Sequence, residues 1–152
     1  MGSITIAEIC DAVADTIGST TGINRVQHYD ELGEGLMDAD LPLLQVFFDS
    51  FNMSTPGDTD RNTMGRGVAL QRITLFADIF CAQRHNTWQD VELTTRMASS
   101  ALDKLESLYH TRPYFGLEGI KAWQLSQAQR GTITYGQVEY MTVRFTINVV
   151  VY

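Results

Sequence analysis

The sequence predicts an α+β domain, in which a mostly antiparallel sheet of four to five strands carries two helices on one face. Three observations lead there. The chain ends on an alternation of Met141, Val143, Phe145, Ile147, Val149 and Val151 against Thr142, Arg144, Thr146, Asn148 and Val150, the period of a strand with one buried and one polar face. Two other segments repeat apolar residues at helical spacing. The strand-like runs also follow one another in groups instead of alternating one-for-one with helices, which favours a segregated α+β layout over a parallel α/β one.

The first helix is marked by Thr5 and Glu8, a T-x-x-E capping box, followed by Ile6, Ile9, Cys10, Val13 and Ile17; it is expected over residues 5–17, with Gly18 as its C-terminal cap. INRVQHY, from Ile23 to Tyr29, reads as a short strand. From Pro42, LLQVFFDSF is apolar on both parities, Leu44, Val46 and Phe48 against Leu43, Phe47 and Phe51, so both its faces should be covered, by this domain or by a neighbour. Its antiparallel partner is the run from Val68 to Ala82, where Ile73, Leu75, Ala77, Ile79 and Cys81 alternate with Arg72, Thr74, Phe76, Asp78 and Phe80.

The second helix is expected from a cap at Asn86 or Thr87 to about Tyr109, striped by Val91, Ala98, Ala101, Leu102, Leu105 and Leu108 and stopped before Pro113. Two strands then follow, Ile120 to Leu125 and Gln137 to the C-terminus, with the turn between them placed near Gly131.

At 152 residues the chain is expected to form a single domain, residues 1–152, able to bury a core without staples. No apolar run reaches the length of a membrane helix, and MGSITIAEIC lacks the pattern of a secretory signal, so no membrane partner is expected. Cys10 and Cys81 fall on apolar faces, as buried reduced thiols do. A net charge of -7 disfavours a clamp on nucleic acid phosphates and suits a conduit past which DNA slides.

No arrangement that carries chemistry emerges. Phosphate-loop, nucleophile-elbow, dinucleotide and HExxH patterns are absent, and His28, His85 and His110 have no ligand partner at helical spacing. The acidic stretch Asp30 to Asp40 lacks the ligand spacing of a calcium loop and reads as solvated surface. Asp58 and Asp60, flanked by Arg61 and Arg66, could be imagined in a small metal-dependent hydrolase, but a polar loop offers little burial to separate their pKa values. No catalytic residue, cofactor or metal is expected. The aromatic faces of Phe47, Phe51, Phe76 and Phe80 have no helix left to cover them, which makes them candidates for contact with a neighbour.

Taken together, ITIAEICDAVADTIG, GINRVQHYDEL, the Asp40-Leu41-Pro42 entry to a strand, GRGVALQRITLFADIF, TTRMASSALDKLESLY and the closing EYMTVRFTINVVVY give the chain a pattern that resembles the tail terminator, or tail completion, proteins of long-tailed bacteriophages. The resemblance implies a non-enzymatic virion protein, assembled in the host cytoplasm as a ring, usually a homohexamer. Such a ring ends growth of the tail tube and joins it to a neck or head-completion protein at the tail–neck junction, with DNA as passing cargo. Another head–tail connector component, such as a stopper, would share size and symmetry.

The polar loop at residues 54–67, STPGDTDRNTMGRG, has no counterpart in that pattern. Extended as a two-stranded arm it would reach on the order of 20 Å, at about 3.3 Å per residue, far enough to touch an adjacent ring. Asp58, Asp60, Arg61 and Arg66 are expected to pair there between rings or subunits, and Phe47, Phe51 and Phe76 to pack between subunits. Neutralising all four charges together is expected to abolish joining of heads to tails while circular dichroism shows an intact fold; a normal yield of joined particles would refute this.

Overall fold

A computed structural model describes residues 4–20, 22–28, 40–53, 71–84, 88–111, 115, 117 and 119–151. The capping box forms as expected: the Glu8 amide donates to Thr5 Oγ1 at 3.2 Å and the Thr5 amide to Glu8 Oε2 at 2.7 Å, satisfying two otherwise orphaned donors. Helix α1 runs Ile6–Gly18 and buries Ile9, Cys10, Val13, Ala14 and Ile17. Strands β1 (Arg25–Gln27), β2 (Leu43–Met53) and β3 (Gln71–Gln83) follow, then α2 (Trp88–Thr111), β4 (Ile120–Tyr135) and β5 (Val138–Val151). The helix caps expected at Asn86 and Thr87, and the whole 54–67 loop, lie outside the described residues.

The strands form one sheet in the order β1-β2-β3-β5-β4, antiparallel throughout except for the short parallel β1–β2 contact. The α+β expectation is met. Register explains the core: Ile73, Leu75, Ala77 and Ile79 of β3 stand level with Val149, Ile147, Phe145 and Val143 of β5, and Leu75 and Ala77 with Phe48 and Val46 of β2. Directly opposed residues point the same way, so these side chains make one apolar face. Helix α1 lies over β1, β2 and β3, and α2 over β3 and β5, closing a core that also takes in Ala101, Leu105 and Trp123.

Three local expectations are corrected. The last hairpin turns at Gly136-Gln137, not near Gly131; Gly136 takes φ +68, the conformation a two-residue hairpin turn requires at its first central position. Gly131 is instead a residue within β4, which therefore runs ten residues past Leu125, to Tyr135. Gly18 is not a left-handed cap, because it is the last helical residue and the cap, Ser19, is right-handed at φ -79. Its role is close approach: a Cβ at Gly18 would sit 2.5 Å from Val26 Cγ2, so the glycine lets β1 pack against the end of α1.

Gly18→Ala is therefore expected to destabilise the domain by about 1–3 kcal/mol, the cost of overpacking, against the small gain that alanine brings elsewhere in a helix. Val26→Ala in the same chain should recover part of that loss. Urea denaturation of the single and double variants checks it, and additivity of the two effects would disprove the contact.

Candidate interaction surface

The face of the sheet turned away from the helices has no second layer among the described residues, and its side chains divide into two zones. Near the β4–β5 turn a small apolar cluster forms from Leu43, Phe80 and Tyr140, with Leu41, Ile133, Tyr135 and Val138 against it; Phe80 and Tyr140 meet edge to face with centroids 5.8 Å apart. Beyond it the face becomes polar. Gln45 Nε2 donates to Gln27 Oε1 at 2.7 Å, tying β2 to β1, and Thr74 Oγ1 donates to Asn148 Oδ1 at 2.8 Å, tying β3 to β5.

At the centre, Asp78 of β3 and Arg144 of β5 are register partners. Arg144 Nε donates to Asp78 Oδ1 at 2.8 Å and its Nη2 to Oδ2 at 2.9 Å, the two-pronged geometry that makes guanidinium–carboxylate pairs strong. The carboxylate is 1% exposed, whereas the guanidinium side chain is 39% exposed. Donating these hydrogen bonds to Asp78 raises the Arg144 pKa above its ordinary value, with burial opposing and the nearby charges of Asp78 and Asp49 adding to the rise. The arginine also lies 4.3 Å from the centroid of Phe76, itself edge-on to Phe47 at 5.8 Å. Aromatic rings, cation and carboxylate thus form one stacked unit on an open face.

The structure brings Phe47 and Phe76 together and separates Phe51 from them. Strand β2 bulges at Asp49, so that Phe48 pairs with Leu75 but Ser50, not Asp49, pairs with Thr74. The extra residue reverses the parity downstream: Phe51 stands level with Ile73 and shares the helix-side face with Phe48. There the two rings are 41% and 42% exposed. Simple alternation places Phe51 with Phe47, and a bulge of one residue leaves no mark in composition that would have warned of it. Phe80, grouped with the uncovered aromatics, is buried. Asp58, Asp60, Arg61 and Arg66 lie outside the described residues.

Other candidates are accounted for locally. Asp40 pairs with Arg25 at 2.9 Å, and His28 Nε2 lies 3.3 Å from Asp15 Oδ1. Cys10 and Cys81 are buried and unbridged; burial, with a smaller contribution from Asp11, pushes the Cys10 thiol up to about 11, and burial pushes Cys81 up to about 12. Both therefore hold their protons at neutral pH. Among the described residues no group of three or more His, Cys, Asp or Glu side chains could hold a metal ion. The arrangement is suited to contact: a stacked cation, a polar open face and a pair of exposed phenyl rings at one edge. Comparison with protein-family models and with curated proteins gives no match for this chain.

The Asp78–Arg144 pair predicts an asymmetric response. Arg144→Met leaves a fully buried carboxylate without its partner and should cost about 3 kcal/mol, whereas Asp78→Asn leaves a half-exposed guanidinium that water can solvate and should cost about 1 kcal/mol. The double variant should cost less than the sum. Denaturant midpoints of the three variants measure this, and equal costs for the two single changes would contradict it.

Proposed function

We propose that this chain is a phage tail terminator, a structural virion protein that assembles as a ring, six-membered by resemblance, on the end of the tail tube and connects it to the neck. The observation that carries the reading is the element order. The segments on which the resemblance rests fall in turn on α1, β1, the entry to β2, β3, α2 and β5, and residues 54–67, outside the described residues, come in the sequence between β2 and β3.

Two further features support it. A sheet face without a second layer among the described residues, together with the exposed Phe48 and Phe51 on the helix side near the edge of β2, suits a subunit that completes its packing in an assembly. Charge is also distributed unevenly: the helices carry Glu8, Asp11, Asp15, Asp90, Glu92, Asp103 and Glu106 against Arg96 and Lys104, while the open face carries Arg72 and Arg144 with the neutralising Asp78. The face that suits smooth passage of DNA by repulsion is therefore the helical one, and the open face offers hydrogen-bonding groups of low net charge.

Loss of the chain from the phage that encodes it is expected to give tails of uncontrolled length that fail to join heads, with joining restored by adding the purified protein to tailless heads and free tails. Electron microscopy of the lysate reads both outcomes. Tails of normal length joined to heads in its absence would overturn the proposal, and a ring located away from the tube end would reassign the chain to another connector position.

A further inference from the structure

The sheet has two edges, and they differ. On one side β1 spans only three residues, level with Leu43, Leu44 and Gln45, so among the described residues Phe47–Met53 of β2 has no strand beyond it. On the other side β4 is an edge along all its sixteen residues. Natural sheets blunt such edges with charge, proline or brevity. Strand β4 has no proline, and over Gln127–Thr132 it is bulge-free with Arg130 as its one charged residue and every residue exposed; its bulges lie earlier, between Ile120 and Ala122 and between Leu125 and Gln127, on either side of Trp123–Leu125.

We propose that β4 of one subunit pairs with Phe47–Met53 of β2, an edge left open among the described residues, in the next copy of this chain, continuing the sheet from subunit to subunit around the ring; this rests on the ring reading above. Direction permits it. Strands β2, β3, β5 and β4 alternate in direction across the sheet, so a rotated copy presents β2 antiparallel to β4. The contact joins two different surfaces, and such a head-to-tail contact generates rings when the rotation closes.

Register supplies the stronger support. The row through Phe48 crosses Leu75 and Ile147 and ends on Leu125, and the row through Phe51 crosses Ile73 and Val149 and ends on Trp123. All of these lie on the helix side. With the rows continued across the junction without a shift, the incoming Phe48 and Phe51 would stand beside Leu125 and Trp123. Space is open on that side: a groove of about 380 Å³ runs along α2 and β4 past Val91, Ala98, Leu102 and Ala128, and a larger one of about 940 Å³ reaches Leu102, Leu105, Trp123 and Leu125, with the rest of its wall, including Arg72, Thr74 and Asn148, on the opposite face. Main-chain pairing would supply the affinity and the two rings the register, the division of labour seen wherever a strand is added to a sheet edge. The bulge at Asp49 is what makes this possible, since without it Phe51 would face the other way.

Cross-linking tests it. The row of Ser50 ends on Gln124. Ser50→Cys with Gln124→Cys in one full-length chain, oxidised at high protein concentration, should give a covalent ladder that stops at the ring number, while a mixture of the two single variants should give a cross-linked pair and nothing larger. The native thiols are buried and stay out of the reaction. Adding Phe48→Asp and Phe51→Asp, both at exposed positions that leave the fold intact by circular dichroism, should reduce the cross-linked fraction by more than about tenfold, a loss of roughly 1.4 kcal/mol or more. Absence of the ladder, a ladder that survives the two aspartates, or dimers from Gln124→Cys alone, which would mean a symmetric β4–β4 contact, each overturns the inference. A normal ladder from a chain whose loss leaves tail length unchanged would retain the interface and remove the tail-terminator reading; controlled tails with no ladder would do the reverse.

Discussion

Everything in this fold depends on the register between β3 and β5. Once Ile73, Leu75, Ala77 and Ile79 stand level with Val149, Ile147, Phe145 and Val143, one side of the sheet is apolar across its two central strands and both helices have a surface on which to bury their stripes. A slip of one residue would turn every one of those side chains to the opposite face. The Asp78–Arg144 pair sits in the same register on the other side: a slip of one residue would set the buried carboxylate opposite Val143 or Phe145, and a slip of two opposite Thr142 or Thr146. Apolar burial on one face and a specific ion pair on the other thus select the same alignment.

The elements that respond to the average chemistry of a segment were legible in the sequence. The capping box at Thr5, the stripe of α1, the alternation of β3 and β5 and the extent of α2 all arise from repeated residues, each contributing in the same direction. What was not legible depends on single residues or on distant contacts. Gly18 looks like a helix stop until Val26 is known to approach it from another element. Gly131 and Gly136 are both plausible turn residues, and the choice falls on Gly136 because β4 keeps pairing with β5 past Gly131, up to Tyr135 opposite Val138. The candidate surface shows the same division: Phe47 and Phe76 follow from alternation, whereas the position of Phe51 follows from a bulge.

The open face illustrates how a sheet can be left uncovered without becoming an unspecific apolar patch. Polar pairs link neighbouring strands, Gln27 with Gln45, Asp78 with Arg144 and Thr74 with Asn148, so that these side chains direct their hydrogen bonds laterally. The aromatic rings there are held by each other and by the arginine. Apolar side chains that lack such partners, Phe48 and Phe51, occur on the other face near the edge of β2. The molecule therefore keeps two exposed phenyl rings at a margin, with Trp88, Val91 and Leu93 exposed at the start of α2, where a neighbour can reach them without displacing a layer already in place.

The bulge at Asp49 divides β2 into two phases, one before it and one after. Residue count along this strand is consequently a form of addressing: deleting the one extra residue would alter no side chain downstream, yet it would deliver each of them to the opposite side of the sheet. Change in such a strand need not proceed through substitution at all. A lineage could exchange which aromatic rings meet the helices and which meet the outside by gaining or losing a single codon, leaving composition, charge and hydropathy almost untouched.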